Sequence, residues 1–320
     1  MRGNRFTAAV GALLLISIFG CGSSESDSTG GLEKDSLTIA ALPLLDVAAL
    51  HIADERKLFE AEGLKVEIQP IATSLAALPA LKNGQLDVIA GANYVTFLQA
   101  HQQGTLKLRI LAAGAAVAPK FMQVVVKSGA PMRSVRDLAG HTVAVNILNN
   151  IQSLTLNEIL SANGVDPATV EYRAVPFPVM DKALANGDVD AVHTAEPFGT
   201  VIQKKVSGRM LIDAGQAPVT GLPVSGYIGT EEFVTKYPRT AAAFRRAIEK
   251  AQAVAADDRA AVQKVLPGYA KVDAATAATL CLPAYPRTTG SADLQRLADL
   301  MVKQGLLKSP LDVGGVILPG

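Results

Sequence analysis

Ala80-Leu81-Lys82-Asn83-Gly84-Gln85-Leu86-Asp87 recurs as Ala183-Leu184-Ala185-Asn186-Gly187-Asp188-Val189-Asp190, with five of eight positions identical. Each copy reads as the end of a helix, a glycine stop and the start of a buried strand, because glycine suits the left-handed residue that closes a helix. The likeness extends outward. Val66-Glu67-Ile68-Gln69-Pro70-Ile71 aligns with Val170-Glu171-Tyr172-Arg173-Ala174-Val175, and Leu37-Thr38-Ile39-Ala40-Ala41 with His141-Thr142-Val143-Ala144-Val145, each 104 positions apart. Each half thus carries strand, helix, strand, helix, strand. A unit of roughly 100 residues is domain-sized, well beyond the roughly 20 to 50 of a solenoid repeat. Strands that alternate with helices imply right-handed crossovers. The predicted class is α/β: two similar open, mainly parallel sheets flanked by helices.

The chain has 320 residues. Met1-Arg2-Gly3-Asn4-Arg5 is a positive leader, and Phe6 to Gly20 is an apolar run too short to span a bilayer. Gly20-Cys21 resembles the lipobox of bacterial lipoproteins, with Phe19 bulkier than that pattern usually has. Cys21 is the expected lipidation site. Without residues 1–20 the chain has 28 basic and 29 acidic residues, a net charge of −1, and no Trp. That balance, with no basic run, argues against nucleic-acid binding. With Cys21 acylated, Cys281 is the remaining thiol, which excludes an intrachain disulfide. No second run is long and apolar enough to cross a membrane.

The expected organisation is a leader over 1–21, a polar tether over 22–35, the first part of lobe 1 over 36–114 and a crossing over 115–120. Lobe 2 follows over 121–214, then a second crossing over 215–223 and the remainder of lobe 1 over 224–320. In lobe 1 the strands are expected at Leu37–Leu42, Leu64–Ile71, from Leu86 and at Leu106–Ala112, with one helix over Val47–Ala61. Lobe 2 opens with a strand over Met122–Lys127. The last segment has no copy of the repeat. Phe244, Ile248, Ala251 and Ala255 share one helical face there, as do Leu294, Leu297 and Met301, and both faces need a surface to bury.

Ligands of open parallel sheets sit beyond the carboxyl ends of strands. The repeat therefore selects six loops: Leu42–Asp46, Ala72–Leu75 and Gly91–Tyr94 in lobe 1, and Asn146–Ile151, Pro176–Met180 and Thr194–Phe198 in lobe 2. None holds a lysine or arginine, yet helices opening from them offer unpaired N–H groups to an anion. The candidate ligand contacts are Leu44, Asp46, Thr73, Ser74, Asn93, Tyr94, Asn146, Asn149, Asn150, Phe177, Met180, Thr194 and Glu196. Several have a second reading. Asp46 either meets ligand or caps the helix after it, and Asn149 and Asn150 either orient a headgroup or serve as N-caps. Glu196, ahead of Pro197, either accepts from a ligand or is a structural acid. Tyr94 and Phe177 are either apolar walls or core. No catalytic constellation is evident. His51, His101, His141 and His193 show no metal-ligand spacing, Cys281 lies in the apolar Leu280-Cys281-Leu282-Pro283, and no GxSxG, GxGxxG or P-loop occurs. Neither a metal nor a cofactor is expected.

Leu58-Phe59-Glu60-Ala61-Glu62-Gly63-Leu64-Lys65-Val66-Glu67 is similar to the first-lobe signature of solute-binding proteins of sulfonate, taurine, nitrate and thiamine-precursor ABC importers. Asp137-Leu138-Ala139-Gly140, Ala183 to Asp190, Glu196-Pro197-Phe198, Phe233 to Pro238 and Gln304-Gly305-Leu306-Leu307 resemble its later landmarks. Lys57 departs from it, standing where that family usually has Gly. The resemblance implies a two-lobed type II periplasmic-binding-protein fold, with two crossings as a hinge, closing on a ligand. It further implies a monomeric lipoprotein held on the extracytoplasmic face through Cys21, with an ABC permease and ATPase as partners. A small organic anion, alkanesulfonate first, is the expected ligand, and a pyrimidine-like or other neutral heterocycle the alternative. Enzymes of menaquinone and pyrimidine-precursor synthesis share this fold, and a sensor lipoprotein is a third role.

Overall fold

In the computed structural model, which describes residues 31–319, the two copies of the repeat perform one task. Gly84 and Gly187 have φ of +76° and +82° and close the helices Leu78–Lys82 and Met180–Asn186. The aspartate ending each copy then stitches the incoming strand to the first strand of its repeat unit, Ser36–Ala41 in one and Thr142–Val145 in the other. Asp87 accepts at Oδ2 from the Thr38 N–H (2.9 Å) and donates its own N–H to the Thr38 carbonyl (2.9 Å). Asp190 makes the same pair with Thr142, at 2.9 and 3.0 Å. Thr38 and Thr142 are themselves equivalent in the repeat.

The chain lays down β1 (Ser36–Ala41), β2 (Lys65–Pro70), β3 (Val88–Asn93) and β4 (Leu108–Ala116), then β5 (Met122–Lys127), β6 (Thr142–Val145), β7 (Glu171–Ala174), β8 (Ala191–Ala195) and β9 (Gly208–Asp213), and finally β10 (Pro223–Thr230). Two five-stranded sheets result, β2-β1-β3-β10-β4 and β7-β6-β8-β5-β9, which match position for position. β1 is parallel to β2 and β3, and β6 to β7 and β8, while β10 and β5 run antiparallel to both neighbours. The reversal follows from connectivity. β4 and β9 each end at the carboxyl edge of their own sheet, so a short crossing enters the other lobe at that same edge. The strand it starts must therefore run back down the sheet.

Two expectations need correction. The last strand of the first repeat, expected to end at Ala112, runs to Ala116, so Gly114 is inside β4. Its glycine is explained by contact: a Cβ there would lie 2.9 Å from the Ser225 carbonyl of β10. The helix expected over Val47–Ala61 is broken into a 3-10 turn at Leu45–Val47, a helix Ala48–Glu55 and a turn of helix Leu58–Ala61, with Lys57 at φ +56° between them. Lys57 is thus no helix-interior residue. It occupies a left-handed position, where glycine is at no disadvantage.

The segment after β10 supplies helices to the first sheet. Pro238–Asp257 buries Ala241, Phe244, Ile248, Ala251 and Ala255 and packs on β4 and the helix Ala48–Glu55. Phe244 lies between Phe59, stacked at 5.8 Å, and Tyr227, edge-on at 5.8 Å. Burying one such ring is worth about 1.5–3 kcal/mol. Ser291–Lys303 buries Leu294, Leu297 and Met301. At its end Lys303 pairs with Glu158 (2.9 Å), and Gln304 donates to the Leu154 carbonyl (3.0 Å) and to Glu158 (2.9 Å) on the helix Ile151–Ala162. Gln99 reaches from the helix Tyr94–Gln102 to the Asn149 carbonyl at 2.8 Å. These contacts join the lobes outside the cleft. No helix among the described residues is long and apolar enough to cross a membrane.

Candidate functional site

All six loops meet in one cleft. Leu42, Leu44 and Asp46 line it from the loop after β1, Ser74 from that after β2, and Gly91 and Asn93 from the end of β3. Across from them stand Asn146, Asn150 and Ile151, then Phe177, then Ala195. The cleft is narrow, with a cavity volume of about 30 Å³. Gly91 permits the close packing of the first and third loops: at φ +72°, a Cβ there would meet Val47 Cγ1 at 3.0 Å.

Asp46 is 2% exposed. Its Oδ2 accepts from the Ser225 hydroxyl at 2.6 Å, and its Oδ1 has no partner. It does not cap a helix, so the capping expectation is corrected. Burial pushes its carboxyl up to about 6, against the opposing hydrogen bond from Ser225. The hydroxyls of Tyr94, Tyr227 and Tyr269 are buried without partners, and Tyr285 donates to the Leu45 carbonyl at 2.9 Å. His51 stacks on Tyr269 at 3.8 Å, and burial holds its imidazole down at about 4, so it is neutral at physiological pH.

In lobe 2, Asn150 is the N-cap of Ile151–Ala162. Its Oδ1 accepts from the Gln152 and Ser153 N–H groups (3.0 and 3.4 Å), and Ser153 Oγ accepts from the Asn150 N–H (3.1 Å). Gln152 ties this corner together: its Oε1 accepts from the Asn146 N–H (2.7 Å) and from Asn150 Nδ2 (3.1 Å), and its Nε2 donates to the His193 carbonyl. The side-chain Oδ1 of Asn146 is buried without a partner. Phe177 lines the cleft and stacks on Phe198 at 5.5 Å.

Leu44, Asp46, Ser74, Asn93, Asn146, Asn150 and Phe177 thus come together, and the other candidates do not. Thr73 Oγ1 accepts from the Ala76 N–H at 3.3 Å, a turn bond. Tyr94 turns into the core, where a Cβ on Gly226 would lie 2.2 Å from its hydroxyl. Met180 and Thr194 are fully buried. Asn149 is exposed at φ +55° and gives only its carbonyl, to Gln99. Glu196 is 1% exposed and committed to the Thr200 N–H (3.0 Å), the Thr200 hydroxyl (2.7 Å) and Gln123 Nε2 (3.3 Å). Met122, Val224 and Ser225 also line the cleft and were missed. They begin the strands that follow each crossing. Since those strands run backwards, it is their amino ends that face the ligand space.

The basis for expecting an anion also changes. Asn93 takes the Thr96 N–H (3.4 Å), Thr73 that of Ala76, Asn150 those of Gln152 and Ser153, and Glu196 that of Thr200. At four of the six loops, one or two helix-terminal donors are thus taken by the chain's own side chains. The one ionisable group lining the cleft is Asp46, an acid. Among the described residues no group of His, Cys, Asp and Glu is placed to hold a metal.

A family profile described as "NMT1/THI5 like" matches residues 45–261. A nitrate import ATP-binding protein of Synechocystis is 26% identical over 260 residues, 76% of this chain. The chain spans only 38% of that relative's length. The alkanesulfonate-binding protein SsuA of Xanthomonas axonopodis, bound to MOPS, superposes with a TM-score of 0.76 at 21% identity, covering 90% of this chain and 99% of that one. The periplasmic nitrate-binding protein NrtA of Synechocystis gives 0.75 at 15% identity, covering 90% and 87%. The desulfurization enzyme DszB gives 0.65 at 15%, covering 89% and 97%. These likenesses show the fold, the two-lobed α/β architecture of type II periplasmic binding proteins.

Proposed function

The chain belongs to the NMT1/THI5-like family, and from that premise we propose that it is the solute-binding component of an ABC importer. It closes two lobes on a small organic solute and delivers it to a permease powered by an ATPase. The carrying observation is the convergence of all six loops, three from each lobe, on one narrow cleft. A ligand that touches both lobes stabilises the closed arrangement over the open one, and only such differential contact drives closure. The crossings near 115–120 and 215–223 serve as the hinge. Cys21 carries the lipid that holds the protein on the extracytoplasmic face; it lies outside the described residues. The lining residues include no cysteine or histidine, which favours binding over the chemistry of same-fold enzymes.

Capped helix termini and a buried acid weaken the case for an alkanesulfonate. The cleft is better suited to a solute that donates hydrogen bonds, as a pyrimidine-like heterocycle does. Thermal-shift titration of the mature chain with alkanesulfonates, nitrate and nitrogen heterocycles, paired with small-angle scattering, tests the reading. The expected result is a shift worth about 2.7 kcal/mol at 100 times Kd, with a smaller radius of gyration and the ligand recovered unchanged. Binding that leaves the radius unaltered, or turnover of the ligand, would defeat it.

A further inference from the structure

Asp46 and Asn150 occupy equivalent positions in the repeat, 104 residues apart, yet only one does the structural work of that position. Asn150 spends its side chain on its own helix. Asp46 sits on a 3-10 turn, caps nothing, and lines the cleft with one oxygen held by a neutral hydroxyl and the other free. A buried carboxylate in this condition lacks a compensating charge, and isolated buried charge is costly. The groups around it do not provide one. Ser225 and Tyr227 on β10, Tyr94 on its helix, Tyr269 on the helix Arg259–Tyr269 and Tyr285 are all hydroxyls, and burial raises the four phenols so that they stay neutral. His51 is uncharged, and no lysine or arginine lines the cleft. Hydroxyls can hydrogen-bond a carboxylate without cancelling its charge. Asn146 brings a second unpartnered acceptor from the opposite lobe.

We propose that the solute is a small organic cation, a primary or secondary ammonium or an amidinium, whose N–H groups are shared between Asp46 of one lobe and Asn146 of the other. An N–H-bearing cation supplies both the missing charge and two donors, and charge-assisted hydrogen bonds are about twice as strong as neutral ones. Bridging the two acceptors ties recognition to closure, because only the closed cleft presents both. Phe177, Met122, Leu44 and Ile151 provide apolar walls for a short hydrocarbon body. A quaternary ammonium has the charge but no N–H, and is refused.

This inference rests on the solute-binding reading, and the experiment separates the two. The mature chain and its Asp46→Asn variant are titrated calorimetrically with acetamidinium, n-butylammonium, tetramethylammonium, acetamide and n-butanesulfonate, with scattering recorded at saturation. Acetamidinium or n-butylammonium should bind and close the lobes, at least tenfold more tightly than tetramethylammonium or acetamide. Asp46→Asn should cost tenfold or more, and Asn146→Ala several-fold. Acetamidinium keeps its charge across the range, so its affinity should fall about tenfold per pH unit below the Asp46 value of about 6. Closure by n-butanesulfonate or acetamide while both N–H cations are inert overturns the inference and leaves the importer reading standing. Equal cation affinity in wild type and Asp46→Asn also overturns it. No binding and no closure with any of these probes counts against both.

Discussion

Lys57 shows how a single residue can be misplaced by pattern alone. Its neighbours are good helix formers, yet it takes φ +56°. Left-handed backbone costs a non-glycine residue about 1–2 kcal/mol, and glycine gives back about 0.5–1 through its looser unfolded state. Lys57→Gly should therefore stabilise the protein by about 0.5–1 kcal/mol, raising the melting temperature by roughly 1–3 °C. Calorimetry checks this, and a lower melting temperature refutes it. Asp46 makes a pH-dependent prediction. Its carboxyl rises from an ordinary 3.8 to about 6 in the fold. Between those values the folded protein holds a proton that the unfolded chain has released, so stability present below the lower value is lost as pH rises through the upper one. Two units correspond to about 3 kcal/mol. Asp46→Asn should melt higher than wild type at pH 7.5 and nearly level with it at pH 4 when no ligand is present. Asn150→Ala and Glu196→Ala should both lower the stability of the apo protein. The first loses a cap, about 1 kcal/mol; the second strands Gln123 and Thr200, about 1–3 kcal/mol. Loop membership was legible for these residues, but direction was not. Two of the bonds that commit Glu196 come from Thr200, four residues on, but the third comes from Gln123, 73 positions away, and the partner that holds Asp46 is 179 positions away.

At the scale of elements, the repeat located β3 and β8 well, because a shared Gly stop and a shared Asp mark where each begins, and it located β1 and β6 through the alignment of Leu37–Ala41 with His141–Val145. It was silent on β10, which has no copy in the sequence and whose neighbours are set by the crossings. β10 runs so close to its surroundings that a side chain is excluded at Gly226. A Cβ at Gly226 would fall 2.2 Å from the Tyr94 hydroxyl and 2.9 Å from the Ala112 carbonyl. Gly226→Ala must displace the Tyr94 ring or part β10 from β4, an overpacking cost of about 1–3 kcal/mol or more. Denaturant unfolding should show the midpoint reduced, and an unchanged midpoint would mean that β10 is less tightly seated than this. Glycines such as Gly104, with open space about the Cβ position, read identically in sequence. Only the packing distinguishes a turn glycine from one that makes room.

The whole molecule is held closed from outside the cleft as well as within it. Lys303 and Gln304 grip Glu158 and Leu154, and none of these touches the ligand space. Gln304→Ala should remove hydrogen bonds made only when the lobes are together, about 1 kcal/mol, and weaken solute binding about fivefold. The radius of gyration of the unliganded protein should rise, while the ligand preference stays the same. A changed preference would mean that the helix Ile151–Ala162 transmits to the cleft. The arrangement of the sheets also sets an order of assembly. All five strands of the second sheet lie within residues 122–213, so that lobe can complete itself as soon as it is synthesised. The first sheet cannot, because the place between β3 and β4 belongs to β10, which emerges only after residue 222. Until then two unpaired strand edges stand open, a template for wrong partners. Residues 120–214 produced alone should fold cooperatively, whereas residues 32–119 should aggregate. In a growing chain, the half that begins first is thus the half that finishes last.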